Sequence, residues 1–180
     1  MTSEKLANPA PIGLLGFGMT TILLSIHNLG FFGLDATILA VGIFLGGIAQ
    51  VIAGVIEFMR GSQFTSTVFT FFGLFWITFV VIELGILGVA DGTSMATMFL
   101  LFLILAFVLF LGTLKSAFAL KFAFAMLVLT LLALTLGAYT GFEFLGILGG
   151  GLGVITGAAA FYIAAAEILN AQYNKPVLPL

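Results

Sequence analysis

The chain has 180 residues, 62% hydrophobic and 7% charged, with a formal net charge of −2 and a mean hydropathy of +1.34. Soluble chains carry roughly 25% charged residues, so in water this composition would expose far too much apolar surface; the chain is an integral membrane protein. Five basic residues cannot neutralise a phosphate backbone, which excludes nucleic acid, and no cysteine with one histidine excludes disulfides, thiolate chemistry and His-pair metal sites.

Met1 to Leu6 carries Glu4 and Lys5 without the charged, apolar, small-residue order of a removable signal peptide. The first apolar run begins at Asn8-Pro9-Ala10-Pro11. Proline fixes φ and lacks an amide donor, and it pushes the residue before it out of the α region. The sequence therefore predicts extended backbone from Asn8 to Ala10 and a helix starting at Pro11. Such a start leaves free amides and a partial positive charge, where a carboxylate can rest. The same residues also read as a proline-capped helix start and nothing more.

A helix needs about 20 apolar residues to cross the hydrocarbon core. Six spans meet this: Pro11 to Phe32, Ala36 to Met59, Phe64 to Val89, Ser94 to Gly112, Ala117 to Ala138 and Leu145 to Leu169. The connections carry Gly, Ser, Thr or a charge and are too short for a separate domain. The expected fold is an all-α, six-helix bundle over residues 11–170, between tails at 1–10 and 171–180. Lys5, Arg60, Lys115, Lys121 and Lys175 all fall on one side of a six-span topology, and Asp35, Asp91 and Glu143 fall on the other. The positive-inside rule then puts both termini in the cytoplasm, with the protein in the inner (plasma) membrane.

The fourth span, from Met98 to Leu111, has no polar side chain and is expected to face lipid or a greasy interface. The second and sixth are rich in glycine and alanine, which lets helix backbones approach closely. Polar residues inside a bilayer are expensive, so their placement is informative. Spacings of three and four put Phe17, Thr20, Thr21, Leu24, His27 and Asn28 on one face of the first helix. The second offers Gly46, Gln50, Gly54 and Glu57; the third Phe72, Trp76, Phe79 and Glu83. The fifth offers Leu127, Thr130 and Leu134; the sixth Thr156, Ala160, Ala164 and Glu167. Five such stripes turned inward would line a narrow, weakly polar path.

Each residue also has a plainer reading. Membrane threonines often bond the carbonyl four residues back, and Gln50 can tie two helices together. His27 is either an interface residue or a proton carrier, and Glu57 can pair with Arg60 three residues on. Glu83 and Glu167 have no partner in sequence and are candidate buried, proton-linked groups. No Lys or Arg lies in the middle of a span, so an anion must be held by hydroxyls, amides and helix N-termini, or cross with a proton. No nucleophile–base pair stands at usable spacing, so an enzyme is not expected, and no cofactor is implied.

Asn8-Pro9-Ala10-Pro11-Ile12-Gly13-Leu14 closely resembles the signature of the acetate uptake transporter family, which includes the bacterial succinate–acetate permeases. Phe17-Gly18-Met19-Thr20-Thr21, His27-Asn28, Gly46-Gly47-Ile48-Ala49-Gln50, Phe72-Gly73-Leu74-Phe75-Trp76 and Gly112-Thr113-Leu114-Lys115 are similar to the same family. The resemblance implies a six-helix subunit assembling as a hexamer, with a path for acetate, and for succinate, through each protomer. It places an aromatic–aromatic–leucine constriction at Phe17, Phe72 and Leu127, and a small size-setting residue at Ala160. Family members usually carry tyrosine where Phe72 stands, so one hydroxyl is missing from the narrowest point. Asn8, Thr20, Thr21, Gln50 and Thr130 are the expected polar contacts, with Asn8 and the amides after Pro11 meeting the carboxylate. A channel for a small neutral solute such as ammonia would use the same apolar constriction and solitary histidine, and remains the alternative.

Overall fold

The computed structural model describes residues 6–180; Lys5 of the charge pattern lies outside them. The described residues form six helices long and apolar enough to cross a membrane: α1 Ala10–Asn28, α2 Ala36–Met59, α3 Gln63–Glu83, α4 Gly92–Gly112, α5 Phe118–Thr140 and α6 Glu143–Tyr173. The six expected spans are all present. Their ends differ where local chemistry overrides hydropathy.

The helix start is the first such place. α1 begins at Ala10, not Pro11, and Pro9 itself is in the α region. The Pro9 carbonyl accepts from the amides of Ile12 (3.0 Å) and Gly13 (3.3 Å), while Asn8 Oδ1 accepts from Ala10 N–H at 3.1 Å. The amides expected to stand free for a carboxylate are thus already bonded. α1 stops at Asn28 rather than Phe32, and α3 at Glu83 rather than Val89. After α3, Gly85 (φ 63°) and Gly88 (φ 108°) take positive φ values that end the helix despite the apolar sequence. Asp35 caps α2 by accepting from Thr37 and Ile38 amides, and Asp91 caps α4 by accepting from Ser94 N–H.

α2 is helical throughout, but Gly42–Ala49 is wound as a π-helix. Such wide turns shift side-chain register and are common beside functional sites. Around the bundle the helices follow chain order. α1 packs most extensively on α6, α6 on α5, α5 on α4 and α2 on α3, while the α3–α4 seam is the sparsest. Aromatic side chains fill that seam, with Phe75 against Phe102 at a centroid distance of 4.8 Å and Phe72 against Phe102 at 5.8 Å.

A close, reciprocal backbone approach joins α1 and α6. A Cβ on Gly18 would stand 2.8 Å from the Gly157 carbonyl oxygen, and one on Gly157 would stand 2.7 Å from the Gly18 oxygen. Two facing glycines are required there. Lipid tails are as apolar as the side chains, so close packing of this kind holds membrane helices together. α4 buries the smallest share of its surface inside the subunit, matching its wholly apolar sequence.

Candidate functional site

Three cavities follow one another through the bundle. A mouth cavity of ≈ 150 Å³ lies at the end where α1 begins and α2 and α6 finish, with Ala10, Thr65, Ile163 and Glu167 in its lining. It shares Leu14, Val68, Phe69, Leu120 and Phe124 with a middle cavity of ≈ 30 Å³. A far cavity of ≈ 160 Å³ lies beyond, lined by α1, α3, α4 and α5. The linings of the middle and far cavities share three residues only: Phe17, Phe72 and Leu127.

Those three come from α1, α3 and α5. Phe17 meets Phe72 edge to face at a centroid distance of 5.8 Å, and Leu127 is buried in the same apolar cluster. Aromatic pairs favour this geometry, so the rings form a defined wall rather than a loose contact. Phe72 and Leu127 are both more than nine-tenths buried.

Four buried side-chain atoms lack a hydrogen-bond partner among the described residues: Thr21 Oγ1, Gln50 Oε1, Trp76 Nε1 and Thr135 Oγ1. Three of the four belong to cavity-lining residues, Gln50 in the middle cavity and Thr21 and Trp76 in the far one. Buried polar groups are nearly always paired, so three unpaired ones on cavity-lining residues stand out. Ala160 lines the middle cavity beside Gln50, so a larger side chain at that position would fill it. The middle and far cavities have no charged side chain in their linings.

Other expected residues are placed elsewhere. Thr20 is fully buried but absent from all three linings; its hydroxyl donates to the Gly16 carbonyl at 2.7 Å and lies 3.4 Å from the Val41 carbonyl. Thr130 lines the far cavity, with its hydroxyl 2.8 Å from the Met126 carbonyl and 3.0 Å from Thr156 Oγ1. His27 lies outside the three linings, and its Nδ1–H donates to the Phe32 carbonyl at 2.8 Å, pinning the turn after α1. Glu83, expected to be buried, is exposed at the end of α3, because the helix stops at that residue.

Glu167 is half-buried at the mouth and bonded. Asn8 Nδ2 donates to its Oε2 at 2.9 Å, and Arg60 Nη1 donates to Asn8 Oδ1 at 3.0 Å. Arg60 also pairs with Glu57 at 3.1 Å, as its spacing predicts, and Thr65 donates to Glu57 at 2.8 Å. Asn8 thus meets a carboxylate, but the protein's own. Beyond α6, Asn174 takes a left-handed turn and the chain folds back. Asn170 bonds the backbone of Val177 and Leu178, and Leu180 joins the mouth lining.

Sequence spacing missed the polar roles open to Trp76 and Ser25 and the place of Phe99 in the far cavity. An aromatic ring on an apolar stripe signals packing, and nothing in the pattern distinguishes a satisfied indole N–H from a spare one.

The GPR1/FUN34/yaaH family model matches residues 1–179. The chain belongs to this family. It is 44% identical over 184 residues to the succinate-acetate/proton symporter SatP of Escherichia coli (strain K12), covering all of this chain and 98% of that protein. The solved structure of the bacterial acetate channel SatP matches with a TM-score of 0.94 at 45% identity, over 98% of this chain and 99% of that one. Ammonia transport outward protein 2 of Saccharomyces cerevisiae is 35% identical over 180 residues, covering 94% of this chain and 64% of the yeast protein. The resemblance carried by the Asn8 to Leu14 motif is borne out, and so is the six-helix fold.

Proposed function

We propose that this family member moves acetate, and other small carboxylates such as succinate, across the membrane through a path inside each subunit. The path runs from the mouth cavity through the middle cavity to the far one, and Phe17, Phe72 and Leu127 form its constriction. The observation carrying this reading is that two cavities meet at those three side chains alone. A methyl group suits such a wall. The carboxylate end is served by Gln50 before the constriction and by Thr21 beyond it.

Desolvating a full charge between apolar walls is costly, and the two inner cavities hold no cation to offset it. Amide and hydroxyl groups recover part of that cost, and crossing with a proton removes most of it. Acetate flux into proteoliposomes with and without an imposed pH gradient tests the reading. Uptake driven uphill by the gradient identifies proton-coupled transport; uptake only down the acetate gradient identifies a channel; no acetate flux overturns the proposal. The uncharged linings also suit ammonia, the solute named for the yeast relatives. Acetate competition against ammonia flux separates the two solutes.

The same reading makes the protein a transporter or channel rather than an enzyme, in the inner membrane, with 1–10 and 171–180 as cytoplasmic tails. The basic residues Arg60, Lys115 and Lys175 beside the ends of α2, α4 and α6 support that orientation. The family resemblance extends it to a homo-oligomer, a hexamer, for which the apolar groove of Phe118, Phe122, Val154, Ile155 and Ala158 offers a face for a second copy in the bilayer.

A further inference from the structure

The chain after α6 is built to lie down on the bundle rather than to fray. Asn174 follows the helix with φ 52°, and the backbone reverses there. The amides of Asn174 and Lys175 donate to the Ala171 and Asn170 carbonyls at 3.3 and 3.2 Å. Pro176 has no amide proton to place. The Val177 and Leu178 amides both donate to Asn170 Oδ1, at 2.6 and 2.9 Å, and Pro179 again has none. Every backbone donor from Asn174 to Pro179 is therefore bonded or absent, the accounting expected of a docked segment.

Two carbonyls of the tail are held as well. Asn170 Nδ2 donates to the Leu178 carbonyl at 2.9 Å, and the Tyr162 hydroxyl donates to the Pro179 carbonyl at 2.7 Å. Asn170 and Tyr162 are eight residues apart on α6, about 12 Å of helix, so the tail is tied down at two levels. Pro176 and Pro179 have φ already fixed, which lowers the entropy that docking must overcome.

The docked tail reaches the mouth cavity. Leu180 lines it beside Ile163 and Glu167 of α6. All other residues of that lining stand on helices or, at Ala117, immediately before one. Leu180 is thus the one part of the wall that can leave without a helix moving. The hold is modest. Val177 and Leu180 stay 40% and 42% exposed, and the four side-chain bonds to the tail come from Asn170 and Tyr162 alone.

We propose that Lys175–Leu180 is a flap over the mouth cavity, latched by Asn170 and Tyr162, and that its release admits the solute. Docked, Leu180 takes up space at the entrance. Released, it leaves the entrance open beside Ala117, Ile163 and Glu167. The gating role rests on the transport reading; the docking of the flap does not.

The chain has no cysteine, so one introduced thiol reports one position. Ile163→Cys puts it in the mouth wall, at a residue only 4% exposed, and its labelling by a charged thiol reagent is timed in purified protein. Asn170→Ala removes three bonds; one of ordinary net worth shifts an equilibrium roughly fivefold, so labelling should accelerate by that factor or more. Asn170→Asp keeps the acceptor for Val177 and Leu178 but loses the donor to the Leu178 carbonyl, and falls between. Deleting residues 175–180 gives the upper limit. Ser116→Cys, exposed ahead of α5, serves as control and labels at one rate in every background. In proteoliposomes the initial rate of acetate uptake rises in the same order.

Unchanged labelling of Ile163→Cys in the Asn170→Ala and truncated proteins overturns the flap. Faster labelling with unchanged acetate uptake overturns the gating role and leaves the transport reading standing. Faster labelling in a chain that carries no acetate in any background supports the flap and removes transport. Asn170→Ala and the truncation release the tail independently, so either one decides if the other fails to fold.

Discussion

The middle and far cavities are separated by three side chains and differ in almost every other respect. The middle one is ≈ 30 Å³, room for about two waters, and Gln50 is the one polar side chain in its wall. The far one is ≈ 160 Å³ and carries Thr21, Ser25, Asn28, Trp76 and Thr130. A solute entering the far cavity keeps part of its hydration and finds replacement donors. One entering the middle cavity must shed nearly all of its water at once. On the proposed path, the contrast puts the barrier to a carboxylate at Phe17, Phe72 and Leu127 and on the middle-cavity side of them, where walls are apolar and space is short. Hydrophobic constrictions of this kind select by size and by dewetting rather than by charge.

The largest break in that contrast comes from removing the wall. Leu127→Ala joins the two cavities, and an extra methylene in an apolar pocket is worth about 1–3 kcal/mol of discrimination. Uptake of lactate or propionate relative to acetate is expected to rise roughly tenfold, read as radiolabelled flux in proteoliposomes. A buried Leu→Ala change also costs about 2–5 kcal/mol of stability, so the variant should melt earlier while passing more. An unchanged selectivity ratio places Leu127 outside the constriction.

A smaller effect is expected within the middle cavity. Gln50→Ala removes its one polar side chain, and a hydrogen bond worth about 1 kcal/mol predicts roughly a fivefold loss of acetate uptake. Thr113 is the control. It is equally buried, but its hydroxyl donates to the Phe110 carbonyl at the end of α4, outside all three linings. Thr113→Ala should leave uptake nearly unchanged. Equal losses in the two variants count against a path-facing Gln50.

The number and order of the helices were legible because twenty-residue apolar runs have few alternatives in a membrane. The helix ends were not, since apolar character says nothing of backbone angle: Leu84 to Val89 continues the hydrophobic run while Gly85 and Gly88 turn out of it. Periodicity put Phe17, Thr21, Leu24 and Asn28 of α1 on the side that lines the far cavity, but it carries no depth, which is why Glu83 was expected inside and lies exposed. It also cannot tell a threonine that lines a cavity from one that bonds its own helix, and Thr20 and Thr21, adjacent in sequence, divide that way. The constriction residues came from family resemblance, and the structure brings them together. The helix start misled for a physical reason. Proline arithmetic predicted free amides, but Asn8 and the Pro9 carbonyl are near enough to take them.

The mouth supplies the smallest expected effect and tests whether charge outside the constriction matters at all. Glu57 and Glu167 face one guanidinium there, so with both carboxylates ionised the cluster carries one negative charge in excess. An arriving acetate meets that charge in the mouth cavity, whose lining includes Glu167. Glu167→Gln removes the charge while keeping an oxygen able to accept from Asn8 Nδ2, so the network keeps its shape. Partly exposed charges interact weakly through water, on the order of 0.5 kcal/mol at ~8 Å, which corresponds to about a twofold fall in the acetate KM. Exposed electrostatics are screened by salt, so the difference between wild type and variant should shrink as ionic strength rises. Should the KM instead rise at every salt concentration, Glu167 assists entry rather than opposing it, and acetate exchanges with Glu167 on Asn8 instead of passing beside it.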